Sequence, residues 1–181
     1  LLETYENSER VDLLLAITSN YIRISPEQAL PYVTEAIELS GKIGYHKGEG
    51  TANLRAGFIY ANIGEYDNAL EHFNTALEIA KKHNLKELQA TSLNSIGNYF
   101  YLTGNQIDAL TNYNQALEIS REISFYNGML NNLNNLGIIY SNLGDYEKAV
   151  LLYIESLSIS EKVNDLQGMA NTYINIGTIY Y

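Results

Sequence analysis

The sequence predicts an all-α protein, a right-handed α-solenoid of antiparallel helix pairs. Three observations predict it. Small and apolar residues recur every 40 positions along the chain. Inside each unit they recur every three to four residues, the spacing of one helix face. Glycines punctuate the units at fixed places.

The long period is dense. Gly57, Gly97, Gly137 and Gly177 are 40 apart, as are Tyr60, Phe100, Tyr140 and Tyr180. Ala29, Ala69, Ala109 and Ala149 keep the same register, and so do Val33, Phe73, Tyr113 and Tyr153. Residues 57–80 and 137–160 are identical at nine of 24 positions. A period in this range marks a repeat architecture.

Each repeat reads as an A helix followed by a B helix. The expected pairs are 9–23 and 26–42, 47–62 and 66–82, 87–102 and 106–122, 127–142 and 146–162, with a last A helix at 167–180. The first B helix opens on Ser25, with Pro26 at N1 and Gln28 at N3, a capping-box pattern with a helix-starting proline. In the next three repeats the A-to-B turn centres on Gly64, Gly104 and Gly144, where glycine accepts positive φ. Glu65, Asn105 and Asp145 follow as N-caps. The B helices carry one apolar stripe, exemplified by Ala69, Leu70, Phe73, Ala76, Leu77 and Ile79. They end on Gly44, Asn84, Ser124 and Asn164, residues expected in the left-handed region. Tyr45, Leu85 and Phe125 come next and supply the apolar contact of a Schellman end. The A-helix glycine lets its neighbour approach closely, and the aromatics fill the remaining space. One pair cannot bury its apolar faces, but a stack can. Residues 1–181 are therefore expected to form a single solenoid domain with repeats at about 9–46, 47–86, 87–126 and 127–166 and a partial one at 167–181.

Composition excludes several functions. The net charge of −10 argues against nucleic acid, whose binding needs Lys and Arg to displace counterions. It also disfavours anionic membrane surfaces. With no cysteine there is no disulfide, thiolate zinc site or cysteine nucleophile. The uncharged runs 88–107, 126–144 and 166–181 each contain several polar residues, so no membrane insertion is expected. The chain opens on Leu1 rather than Met, as a fragment or processed chain does, and has no signal-peptide pattern. Cytoplasmic and periplasmic placement both fit.

Gly57, Tyr60, Gly64, Tyr66, Ala69, Phe73 and Ala76 resemble the tetratricopeptide repeat signature, and residues 134–150, NNLGIIYSNLGDYEKAV, look like a near-consensus copy. The resemblance covers nearly the whole chain. Two features depart from it: the repeat has 40 residues where the usual form has 34, and no proline closes the B helix. The 40-residue form is similar to repeats in the sensory and regulatory regions of bacterial signalling proteins, where output domains follow. The resemblance implies a non-catalytic module that binds a protein or peptide. Two alternatives stand beside it, a self-associating assembly adaptor and a sensor of a peptide pheromone or small ligand.

The residues themselves offer little catalytic chemistry, and no cofactor is expected. His46, His72 and His83 occupy unrelated repeat positions and read as solvent-facing. His46 and Glu49 share a helix face, but zinc needs at least three ligands and no third matches. Gly48-Glu49-Gly50 lacks the context of a phosphate loop and reads as an irregular helix start.

The resemblance places a binding groove on the concave wall, along one stripe of the A helices at −6, −3, +1 and +4 from the repeated glycine. These positions are Thr51, Leu54, Phe58 and Ala61; Thr91, Asn94, Asn98 and Tyr101; Asn131, Asn134, Ile138 and Ser141; and Asn171, Ile174, Thr178 and Tyr181. Asn62 and Asn142 flank it at +5. The candidate contacts are Phe58, Asn94, Asn98, Tyr101, Asn131, Asn134, Ile138 and Asn142. Carboxamides both donate and accept, so they suit a peptide backbone. Phe58, Tyr101 and Ile138 are apolar anchors. The same asparagines also have a purely structural use, bonding across adjacent A helices. Changing Asn94, Asn98 and Asn134 together to Ala is expected to abolish capture of the partner and leave helicity intact. Only Arg55 lies near the stripe, too little cation for the acidic C-termini that some tetratricopeptide domains grip. Ile176, Ile179 and Tyr180 face no neighbour, which points to a homodimer through the exposed end or to a chain cut inside a repeat.

Overall fold

The structure, a computed structural model, describes residues 7–180. The described residues form nine helices and no strand: α1 (Asn7–Tyr21), α2 (Pro26–Ile43), α3 (His46–Asn62), α4 (Tyr66–Lys82), α5 (Lys86–Leu102), α6 (Gln106–Glu122), α7 (Tyr126–Asn142), α8 (Tyr146–Val163) and α9 (Leu166–Ile179). Odd-numbered helices are the A helices and even-numbered ones the B helices. Every expected helix is present, with ends moved by no more than a couple of residues.

The turns follow the predicted chemistry. Gly64, Gly104 and Gly144 have φ of 85°, 82° and 79°. Gly44, Asn84, Ser124 and Asn164 hold φ between 53° and 70°. The amides of Tyr45, Leu85, Phe125 and Asp165 reach back to the carbonyls of Ser40, Ala80, Ser120 and Ser160, the six-to-one bond of a Schellman end.

The caps divide. The side chains of Asn105 and Asp145 accept from the amides of Asp108 and Lys148. Ser25 makes no side-chain cap, because the Gln28 amide bonds the Ser25 carbonyl instead. Glu65 does not cap either; its longer side chain takes the Asn68 carboxamide.

The described residues divide into two compact units, one up to Ser92 and one from Leu93 onward, with the division inside α5. In the first unit Val11, Leu14, Ala29, Val33, Ala36, Ala52, Ala56 and Ile59 form the core. In the second, Ala109, Tyr113, Leu117, Leu130, Leu133, Leu136 and Ile139 do so. The A-helix glycines have the predicted use. A Cβ on Gly97 would lie 2.6 Å from Tyr113, and Gly57 and Gly137 press as closely on Phe73 and Tyr153. Burying an aromatic of this size stabilises by roughly 1.5–3 kcal/mol, and only glycine lets the ring in.

Gly48 is not a helix-start irregularity. With Gly128 and Gly168 it forms a second glycine column, each packed under the side chain three residues before it: Tyr45, Phe125 or Asp165. Gly50 admits Leu88, whose Cδ2 a Cβ would meet at 2.5 Å.

Candidate functional site

The A helices of the second unit carry no charge: neither α5 from Leu93 onward nor α7 nor α9 contains Asp, Glu, Lys or Arg. Their polar groups are mostly carboxamides, and many are engaged within the unit. Asn94 Nδ2 donates to Asn132 Oδ1 at 2.9 Å, and the buried Asn132 passes a bond to the Gly128 carbonyl. Asn98 Oδ1 accepts twice, from the Tyr113 hydroxyl at 2.7 Å and from Asn135 Nδ2 at 3.2 Å. Asn142 Nδ2 donates to the Tyr101 hydroxyl at 3.1 Å. Three successive levels of α5 are thereby tied to α7. Burial pushes the Tyr113 phenol up from its ordinary pKa and that of Tyr153 up to about 12, with Tyr101 adding to both.

The structure thus brings Asn94, Asn98, Tyr101 and Asn142 together and gives each a partner. Because Asn94 and Asn98 serve the fold, their truncation removes structural bonds as well as any ligand contact. Asn131 is exposed, Ile138 is half-buried, and Asn134 holds a water-shielded Oδ1 with no hydrogen-bond partner among the described residues. Phe58 belongs to the first unit, half-buried with its ring 5.3 Å from Phe73. Tyr181 lies outside the described residues.

The first unit has a charged A-helix face. Two open clefts share Lys47 and Thr51. One, about 380 Å³, is lined by Leu54, Leu85, Leu88 and Thr91 with Lys86 and Glu87. The other, about 590 Å³, lies between α1 and α3 and includes Asp12, Ser19, Asn20 and Arg55. The stripe read from the sequence stops one turn short of Lys47, which sits at −10, on the same face as Thr51. Extending it by one turn finds that residue.

The histidines are not simply solvent-facing. His72 Nδ1 is 3.0 Å from Asn53 Oδ1 and its ring stacks on Tyr60 at 5.2 Å. Burial lowers its pKa. His46 and His83 stack at 3.6 Å, with Glu49 Oε2 3.6 Å from His46 Nδ1. Parallel ring faces do not aim two nitrogens at one ion, and among the described residues no group of three or more potential ligands is placed to hold a metal. No described helix is long and apolar enough to cross a membrane.

Helix pairs in which a glycine of the A helix is seated under an aromatic of its B helix define an all-α helical-repeat solenoid. Residues 48–122 and 128–181 match the family model of the tetratricopeptide repeat, and the chain belongs to that family, a class of generally non-catalytic protein-binding modules. Comparison with curated proteins gives no match. Among solved structures, aspartyl phosphate phosphatase F from Bacillus subtilis is similar at 16% identity and TM-score 0.88, over 95% of this chain and 45% of that one. A Rap protein complexed with competence and sporulation factor is similar at 18% identity and TM-score 0.81, over 99% of this chain and 56% of that one. A signal-transduction ATPase with a tetratricopeptide repeat sensor, from Pyrococcus horikoshii, is similar at 16% identity and TM-score 0.81, over 98% of this chain and 28% of that one. The chain spans about half or less of each. At these identities the likeness is one of fold, and the phosphatase name belongs to that protein.

Proposed function

We propose that the chain is a non-catalytic module that binds a protein or peptide segment, and that it serves as the regulatory or sensor region of a larger signalling protein. The observation that carries the binding site is the neutral, carboxamide-lined A-helix face of the second unit, where Asn131, Asn134 and Ile138 remain to meet a ligand. A peptide backbone reaching these carboxamides has donors and acceptors that match theirs, while Ile138 takes an apolar side chain. The Rap protein with its bound factor and the tetratricopeptide sensor of the ATPase support the regulatory part by analogy of fold.

A library of random peptides displayed on phage tests the site. The wild-type chain is expected to enrich defined sequences, and those held by this face keep an affinity almost unchanged by salt, because the face is uncharged. Asn131→Ala with Asn134→Ala is expected to weaken them by roughly five- to a hundredfold, two hydrogen bonds' worth. If no enriched sequence is weakened by the double change, or if those it weakens lose their affinity in high salt, this placement of the site is sunk.

A second reading, self-association, is favoured by α9. Leu166, Tyr173 and Ile174 are each more than half exposed. A Cβ added to Gly177 would meet no neighbouring side chain or helix within 4 Å, whereas the equivalent glycines of α5 and α7 each seat a tyrosine. Sedimentation velocity is expected to reveal concentration-dependent dimers that Ile174→Glu disperses. A strict monomer at high concentration refutes this reading.

A further inference from the structure

We propose that the cleft between α1 and α3 takes one carboxylate of a peptide on Arg55, while an aliphatic side chain of the same peptide enters the adjoining slot beside Leu54 and Leu88. This rests on the reading above that the chain binds peptides, and it adds a second face with a ligand chemistry of its own.

Of the four arginines, Arg23 is exposed to solvent, and Arg55 alone combines partial burial with a missing acid. Arg10 pairs with Glu35 and Arg121 with Glu155. Arg55 is half-buried, and its Nε is sealed from water with no hydrogen-bond partner among the described residues. Burial lowers its pKa, and no neighbouring carboxylate opposes the shift. A desolvated guanidinium without an anion is costly, and with Nε sealed a planar carboxylate is met end-on by the two terminal nitrogens.

The surroundings suit an anion at that level of the cleft. Ser19 and Thr51 already donate their hydroxyls to the carbonyls of Leu15 and Lys47, so Arg55 and Asn20 supply the donors, while Lys47 lies about two turns before Arg55, roughly 12 Å along α3. The cleft's acid, Asp12, accepts from the Tyr45 hydroxyl at 3.1 Å. Asp12 precedes Ser19 and Asn20 by about two helical turns, roughly 10 Å at 1.5 Å per residue. Lys47 and Thr51 line both clefts, so an extended segment bridges them within a few residues. The occupant is therefore an acidic residue close to Leu, Ile or Val. One arginine matches one carboxylate, not a pair.

The test uses pools of acetylated, amidated pentapeptides with Leu fixed at the centre. Asp or its neutral twin Asn occupies one of the other four positions. Binding is read by fluorescence anisotropy and by the Arg55 Nε–H resonance. The Asp pool is expected to bind at least about tenfold tighter than the Asn pool, the worth of a charge-assisted hydrogen bond. It shifts the Arg55 resonance and weakens with salt. Arg55→Gln should erase the difference between pools, and Arg55→Lys should keep part of it; circular dichroism confirms that both variants fold. Equal binding of the two pools overturns the proposal. So does inorganic phosphate that binds Arg55 more tightly than the Asp pool. If the pools bind equally while phage-selected peptides still depend on Asn131 and Asn134, only this inference falls. If no peptide binds either face, both fall.

Discussion

Gly137→Leu is expected to lower the thermal midpoint by several degrees, while Gly177→Leu leaves it unchanged or raises it. The two glycines hold the same repeat position. A Cβ on Gly137 would already lie 2.7 Å from Tyr153 Cζ, and Tyr153 is only 2% exposed, so the ring has nowhere to go. Removing a helix-interior glycine returns up to about 1 kcal/mol of propensity. Overpacking costs roughly 1–3 kcal/mol, and the clash here begins at the first added carbon, which puts the loss at the upper end. For a chain of this size each kcal/mol moves the midpoint by about 2–4 °C. A Cβ added at Gly177 would meet no packed neighbour within 4 Å, so only the propensity gain remains. Melting followed by circular dichroism decides. Equal midpoints for the two variants would remove the close-approach explanation for the glycine column.

The helix pairs were legible because repetition and spacing are one-dimensional signals. Gly57, Gly97 and Gly137 share a register with the aromatics that cover them, and a 40-residue offset is visible without any geometry. The second glycine column escaped because Leu88 interrupts it and because its neighbour Gly50 suggested a local irregularity. The failed cap at Ser25 turns on its backbone, where φ is −154°, and residue type does not fix that angle. The asparagines were legible as a face but not as bonds. Which carboxamide on α7 meets Asn94 or Asn98 depends on how far each helix is rotated about its axis. The structure selects Asn132 and Asn135, both outside the stripe. The unpaired state of Arg55 was equally hidden, since sequence cannot say which glutamates reach which arginines.

Asn98→Ala is expected to destabilise the second unit by roughly 1–3 kcal/mol, the cost of leaving a buried hydroxyl without its partner. That hydroxyl belongs to Tyr113, which is 1% exposed and donates to Asn98 Oδ1 at 2.7 Å. Burial raises the phenol's pKa, so it remains a donor well into the alkaline range. Tyr113→Phe removes the donor instead. Asn98 Oδ1 then keeps the Asn135 carboxamide at 3.2 Å, and the cost should be nearer 0.5–1.5 kcal/mol. Once the hydroxyl is gone, Asn98→Ala orphans no phenol, so the double variant should lose less than the sum of the two single changes. A coupling of about 1 kcal/mol is expected from residues in direct contact. Asn131→Ala, on the same face but exposed, serves as the control and should change stability by less than about 0.5 kcal/mol. Urea denaturation of the wild type and the four variants measures all of this. If Asn98→Ala costs no more than Asn131→Ala, and the cycle closes without coupling, Asn98 is not a structural tie, and it returns to the set of side chains available to a ligand.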